Sequence, residues 1–267
     1  VTRGTLMSIR MPFAQPEDYA PGWAAPDTAP ERALWFVFRR GELLVAQGEE
    51  GTAVLQPLGG PADLGLRAAR EQYLGMLGDT HCYAAEAEGD EEDEPPPGWG
   101  WVGLRNLFGA IDEDLFSLAG RAAQLLEWTR THRFCGACST PMEPHPAERA
   151  LQCPACKLIA YPRISPAIMA LVRRKDEFLL ARSPHFVPGM YSALAGFVEP
   201  GETLEQCLVR EVREESGYHV RPVKLAAVWD RAKHQHPPAL HSISRCFFVC
   251  VLEGGSPLVS EETDAID

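Results

Sequence analysis

Between Gly196 and Tyr218 the chain gathers carboxylates, Glu199, Glu202, Glu205, Glu211, Glu214 and Glu215, with Arg210 and Arg213 among them. On a helix, Glu211 and Glu215 are four residues apart and Glu214 is three from Glu211, so three carboxylates crowd one edge within about a turn. Like charges at that spacing repel. Leu204, Leu208 and Val212 form an apolar ridge on the same side, which puts Glu211 and Glu215 at the border of the buried face. A merely solvated charged helix, with Arg210 and Arg213 as partners, leaves that placement unexplained. Carboxylates collected at a cleft are satisfied by a hard divalent cation with oxygen ligands, and Mg²⁺ held this way usually also binds substrate phosphates. Gly196 and Gly201 permit tight turns before the helix, and Gly217 stands where its end needs a cap.

A second constellation is Cys135-Gly-Ala-Cys138, followed after fourteen residues by Cys153-Pro-Ala-Cys156. Two cysteines with two residues between them can place both thiolates on one tetrahedral ion, and two such knuckles complete a closed Cys₄ zinc site. A closed site has no open position for water, so its role is structural. Four ordinary buried cysteines, or a redox pair, leave the second matching pair without a reason. Cys82, Cys207, Cys246 and Cys250 read as core thiols.

Both constellations need a scaffold, and the chain is long enough to supply one. Its 267 residues are 45% hydrophobic and 23% charged, so a real core can be buried without disulfide staples. The formal net charge of −12 disfavours gripping duplex nucleic acid through its phosphates and demands a cation wherever an anionic substrate binds. No stretch approaches the roughly 20 apolar residues of a spanning helix, so no membrane partner is expected. The first residues lack a secretory pattern, and paired cysteines fit a reducing compartment, so the cytoplasm is the expected location.

The pattern of residues predicts strands over 33–38 and 42–46 around an Arg40-Gly41 hairpin, with a further strand over 52–58. A helix capped by Asp63 is expected over 63–77. The run 86–98, with its acids and Pro95 to Pro97, cannot bury apolar area and reads as a mobile, solvated loop. Three- and four-residue spacing of Leu115, Leu118, Ala119, Ala122, Leu125 and Leu126 predicts an amphipathic connector helix over 114–131. Beyond the cysteines come strands over 168–172 and 178–181 around Lys175-Asp176, another over 191–195, a helix from near Thr203 to Gly217, and strands over 226–229 and 246–252. This element order favours an α+β sandwich over a doubly wound sheet.

Gly196, five residues, Glu202, seven residues, Arg210-Glu211, Val212, one residue, Glu214-Glu215, one residue, Gly217 and apolar Tyr218 reproduce every fixed position of the Nudix box. The chain thereby resembles the Nudix hydrolases, which implies an α/β/α sandwich and hydrolysis of a nucleoside diphosphate linked to another group. Leu118-Ala-Gly-Arg121, the cysteine quartet, Tyr161-Pro-Arg-Ile-Ser-Pro166 and Leu194-Ala-Gly-Phe-Val-Glu199 are similar to the NADH pyrophosphatase subfamily over about residues 99–217, with a fainter likeness before them. The resemblance implies a domain over 1–130 that includes the connector helix, a zinc ribbon over 131–162 and a Nudix domain over 163–267. It implies zinc on Cys135, Cys138, Cys153 and Cys156. It implies Mg²⁺ or Mn²⁺ on the Ala195 carbonyl, Glu211, Glu215 and Glu262, with Glu214 and Arg210 completing the catalytic set. Arg105, Glu148, Tyr161 and Phe197 match substrate-contacting positions, and a homodimer is implied. For Arg105, Glu148 and Tyr161 an exposed loop charge, a ribbon surface acid and a packing aromatic are equally good readings.

The likeness stops after the box. The subfamily's Ser-Gln-Pro-Trp-Pro-Phe-Pro motif is replaced by residues 228–241, which carry Arg231, Lys233, His234, His236 and His241. These could meet a diphosphate or ribose hydroxyls, or form only a polar loop. The chain stops at Asp267, where Nudix domains continue into another strand and a final helix, so a longer natural protein, or a helix supplied otherwise, is expected. Three functions follow: hydrolysis of NAD(H) to nicotinamide mononucleotide and AMP, with NAD-capped RNA ends sharing the same bond; hydrolysis of ADP-ribose or another nucleoside diphosphate derivative; or a non-catalytic zinc-ribbon binding module.

Overall fold

The computed structural model describes residues 15–48, 53–90, 93–232, 242–257 and 265–266. The chain forms two units, one of residues 1–163 with 232–241 and one of residues 164–231 with 242–267. Among the described residues no helix is long and apolar enough to cross a membrane.

In the first unit a seven-stranded sheet runs in the order β1 (Tyr19–Pro21), β5 (Ala68–Leu77), β6 (Thr80–Ala87), β2 (Leu34–Arg39), β3 (Glu42–Gln47) and β4 (Ala53–Val54), with β7 (Trp99–Gly103) also on β3. The β2–β6 pair is parallel and the others are antiparallel. The strand β2 is buried on both faces, which is why it reads as an unbroken apolar run. Phe36 and Phe38 face the helix α1 (Glu113–Thr131), whose Leu118, Ala119 and Ala122 join them in one core. Trp35 and Val37 face the other way, where Trp35 stacks on Tyr83 with centroids 4.6 Å apart. Buried Arg39 ends the strand by donating to the Asp93 carbonyl at 2.7 Å and lying over Trp101.

The hairpin and the connector helix form as predicted, with Asp112 capping α1 through the N–H groups of Asp114 and Leu115. The helix expected over 63–77 is not there. Its first residues make a short 3₁₀ turn, Pro61–Leu64, closed by Gly65 in the left-handed region, and the rest is β5. Pairing with β1 and β6 overrides the helical preference of its Ala, Arg, Glu, Gln and Leu residues. The strand expected over 52–58 shrinks to β4 plus a single bridge from Leu58 to Ala33. Glu86 and Ala87 belong to β6 instead of the acidic loop. The cysteine-bearing segment carries β8 (Glu143–Pro144), β9 (Leu151–Gln152) and β10 (Ile159–Ala160) as an antiparallel sheet. Half-buried Arg149 ties this segment to the larger sheet by donating to the carbonyls of Gly22 and Tyr73.

In the second unit β11 (Ile164–Arg174) is central. It pairs antiparallel with β12 (Glu177–Phe178) and β14 (Leu194–Phe197), and parallel with β16 (Ser242–Gly255), which β15 (Tyr218–Ala232) flanks. A separate pair joins β13 (Ala181–Arg182) to β17 (Ala265–Ile266), so the strand expected over 178–181 is divided between two partners. Ile168, Ala170, Val172, Cys246, Phe248 and Cys250 turn to one face and bury Leu208 and Val212 of the helix α2 (Leu204–Ser216). Met169, Leu171, Phe247 and Val249 turn to the other. A mixed sheet carrying a helix is the α+β class expected.

Candidate active site and metal centre

The helix α2 starts and stops where its residues dictate. Thr203 accepts from the Gln206 N–H at 3.2 Å while the Gln206 side chain accepts from the Thr203 N–H at 2.8 Å, a reciprocal capping box. Gly217, at φ 75°, takes the left-handed position at the other end and donates to the Arg213 carbonyl. With Leu208 and Val212 fully buried, the helix is rotated so that Glu211 meets the sheet edge. A β-carbon built on Gly196 would fall inside the Glu211 carboxylate. The glycine at the first fixed position of the box is thus the floor on which the first acid of the Arg-Glu pair rests.

The register of β14 settles a second group. The Val198 N–H donates to the Pro166 carbonyl at 3.1 Å, and Val198 and Pro166 continue the Phe197↔Ala167 alignment. Antiparallel pairs alternate between bonded and non-bonded. Gly196 therefore bonds to β11, whereas the carbonyls of Ala195 and Phe197 point away from it, to the strand's other edge. There the Phe197 carbonyl accepts from Arg210 at 3.1 Å and from the Cys207 thiol at 3.4 Å.

Arg210 is the hub of the acid cluster. It grips Glu202 through two nitrogens at 2.6 and 3.1 Å, and reaches Glu211 at 2.8 Å and Glu214 at 3.3 Å. Its guanidinium, together with the Glu199 N–H at 2.8 Å, holds the Glu202 carboxyl down to about 2. The same hydrogen bonds raise Arg210 further above its ordinary value. Glu215 is half-buried one turn beyond Glu211 on the same edge of α2. Glu262, Lys233, His234, His236 and His241 lie outside the described residues, and of Arg231 only the backbone is described.

The thiols Cys135, Cys138, Cys153 and Cys156 all lie within 4.8 Å of one another, Cys135 and Cys156 at 3.5 Å, Cys138 and Cys153 at 3.5 Å, and Cys138 and Cys156 at 3.6 Å. A tetrahedral ion with sulfurs at about 2.3 Å needs edges of about 3.8 Å, so the quartet fits zinc. Backbone N–H groups of Ala137 and Cys156 point at Cys135 and Cys153. The Thr140 hydroxyl and N–H bring Cys138 down to about 6. Against the lowering by the Leu158 N–H, the three other thiols push Cys156 up to about 12. Four thiolates so close cannot all ionise without a cation, which is the role zinc fills.

Of the remaining expected residues, Glu148 accepts from the Tyr161 hydroxyl at 2.9 Å, and that bond pushes the tyrosine up. Arg105 is exposed on a short turn, Leu104–Leu107, in the first unit. Phe197 is 48% exposed on the face of β14 opposite Gly196. Sequence reasoning missed Cys207. Burial pushes its thiol up to about 12, and it braces the Phe197 carbonyl beside Arg210. Its place three residues before Arg210, on the buried side of the helix, was the available signal.

Three family models match along the chain: an NADH pyrophosphatase-like rudimentary Nudix domain over 32–128, an NADH pyrophosphatase zinc ribbon domain over 130–161 and a Nudix domain over 163–267. The NAD-capped RNA hydrolase NudC of Chromobacterium violaceum is 42% identical over 257 residues, 96% of this chain and 87% of the relative. That of Deinococcus radiodurans is 42% identical over 219 residues, 80% of this chain and 73% of the relative. That of Stutzerimonas stutzeri is 54% identical over 131 residues, about half of each chain (49% and 48%). Among solved structures, a Nudix hydrolase from Nitrosomonas europaea is similar at a TM-score of 0.42 and 23% identity, covering 51% of this chain and 76% of that one. By the ordered match of these models and by identity across nearly its whole length, the chain belongs to the Nudix hydrolases, in the NADH pyrophosphatase branch that carries a zinc ribbon.

Proposed function

We propose that this chain hydrolyses the diphosphate bond of NAD(H), giving nicotinamide mononucleotide and AMP, and removes the NAD end from NAD-capped RNA. The single observation that carries the reading is the Glu211 carboxylate seated on Gly196 and gripped by Arg210, within a complete Nudix box. Relatives named as NAD-capped RNA hydrolases, matched across 96% and 80% of this chain, support the substrate.

The residues that would hold Mg²⁺ or Mn²⁺ are the Ala195 carbonyl on the open edge of β14, Glu211, Glu215, and with them Glu214 and Glu262. When bound there, the divalent ions neutralise diphosphate charge and acidify water. Arg210 acts on the carboxylates, fixing Glu202, Glu211 and Glu214 in one arrangement. One glutamate of the set takes the proton of the attacking water. The water oxygen bonds to one phosphorus, the bridging P–O bond breaks, and the second phosphate leaves with the bridging oxygen. Phe197, Glu148, Tyr161 and Arg105 are the proposed substrate contacts. Eight cysteines outside any disulfide, four of them gathered as a zinc cluster, suit a reducing cytoplasm, and a homodimer is the proposed assembly.

A second reading, hydrolysis of ADP-ribose or a related nucleoside diphosphate derivative, is favoured by one observation, the replacement of Ser-Gln-Pro-Trp-Pro-Phe-Pro by residues 228–241. Incubation of the chain with NADH, NAD⁺, ADP-ribose and CDP-choline in Mg²⁺ or Mn²⁺ separates the two. The primary reading expects NADH or NAD⁺ to be turned over fastest, a preference for ADP-ribose selects the second, and no hydrolysis overturns both.

A further inference from the structure

The molecule carries a net charge of −12, yet residues 130–163 hold five Lys and Arg against two Asp and Glu, a local +3. Four thiolates on one Zn²⁺ subtract two and leave the segment positive. Three of those cations already hold a partner: Arg130 forks onto Glu127 at 2.7 Å, Arg149 holds the carbonyls of Gly22 and Tyr73, and Lys157 donates to the Pro154 carbonyl at 2.8 Å. Arg133, Lys157 and Arg163 are exposed. Next to Arg133, Phe134 is 57% exposed, with the Arg133 guanidinium 5.6 Å from its centroid. Leu158, next to Lys157, is 44% exposed. Phe134 precedes the first zinc knuckle, with Pro141 across from it in a bridge, and Lys157 follows the second knuckle in the left-handed region, so both are held by the zinc ribbon's own turns.

An exposed aromatic ring topped by a guanidinium, in a segment of net positive charge, is the chemistry that receives an unpaired base and its phosphates. A duplex, whose bases are stacked inward, offers such a ring nothing. We infer that the exposed Arg133, Phe134 and Lys157 of the zinc ribbon form a binding surface for single-stranded RNA, the strand that carries the NAD end of the proposed substrate. The inference rests on the proposed activity toward NAD-capped RNA, and it adds a determinant that separates RNA from free NAD(H). Stacking is sequence-tolerant, so the surface takes many transcripts.

The test uses the zinc-loaded full chain with a short single-stranded RNA bearing a plain 5′-monophosphate, the same strand in a duplex, the same strand capped with NAD, and NADH. Phe134→Ala should weaken binding of the uncapped single strand about tenfold, with Phe134→Trp restoring it. Arg133→Gln with Lys157→Gln should flatten the slope of log affinity against log salt by about 1.4, the share of two phosphate contacts. Both changes should lower kcat/KM on the capped strand by the factor lost in binding, leave NADH turnover and zinc content unchanged, and leave the weak duplex binding where it was. Should Phe134→Ala shed zinc, the exposed double variant decides alone. Equal binding and equal capped-RNA turnover by that double variant, or duplex binding as tight as single-strand binding, overturns the surface. Failure of the wild type to cleave NADH or capped RNA instead overturns the functional reading, and the binding arm still reports on the surface.

Discussion

Gly196 shows how a residue with no side chain can set the chemistry of another. Its missing β-carbon leaves the volume that the Glu211 carboxylate occupies, and the atoms that an added methyl would meet are the far end of a flexible side chain. Gly196→Ala should therefore cost little stability, because Glu211 swings aside, but should lower kcat by roughly a hundredfold, the scale of an ångström-sized misplacement in an active site. Steady-state kinetics beside thermal unfolding checks the pair of outcomes. Glu202 gives a pH signature. Its carboxyl sits at about 2 in the fold against an ordinary 4.5, so its stabilising contribution is present above about pH 4.5 and is lost as the pH falls toward 2. Urea denaturation of the wild type and Glu202→Gln across that range should show a stability gap that closes with acid; a gap that stays constant contradicts the Arg210 pairing. The spacing of Glu211 and Glu215 was legible because helical period alone places them. The Glu202 clamp and the Cys207 brace were not, because both depend on how the chain before α2 folds back against the helix, which helical period does not give.

At the scale of elements, α2 was readable almost to the residue, since Thr203 with Gln206 and Gly217 write its two ends in local chemistry. Thr203→Ala should destabilise the fold by about 1 kcal/mol, measured by chemical denaturation, with the Glu211–Glu215 edge of the helix unchanged. The stretch 63–77 shows the opposite case. Its composition suits a helix, but Gly75 sits at φ 125°, where an added β-carbon would strike the Ala20 carbonyl, and register shifts break its pairing with β6. A strand bent by such irregularities loses the strict alternation by which sequence reveals strands. The run of β2 was readable as a strand, but its burial on both faces was not, because the cluster around Trp35 and Val37 draws on Leu58, Leu64 and Leu66 from the segment after β4 and on Trp99 and Trp101 from β7, which only the folded chain brings together.

For the whole molecule, the cysteine spacing foretold a thiolate cluster without any knowledge of the surrounding fold, because two knuckles carry their geometry with them. How that cluster is tied to the larger sheet was not legible, since Arg149 reaches carbonyls more than seventy residues away. Stripping zinc with a thiol-reactive mercurial should release one ion per chain and loosen residues 135–156, read as faster amide exchange there, while the α2 amides keep their protection. The account's central claim is that the Glu211–Glu215 edge of α2 binds divalent ions that make a pyrophosphate cleavable. Its most direct measurement is turnover of NADH and NAD-capped RNA by Glu215→Gln, with zinc content and thermal stability followed in parallel. Loss of nearly all turnover on both substrates, with zinc and stability at wild-type values, is the predicted result; hydrolysis at the wild-type rate would contradict it.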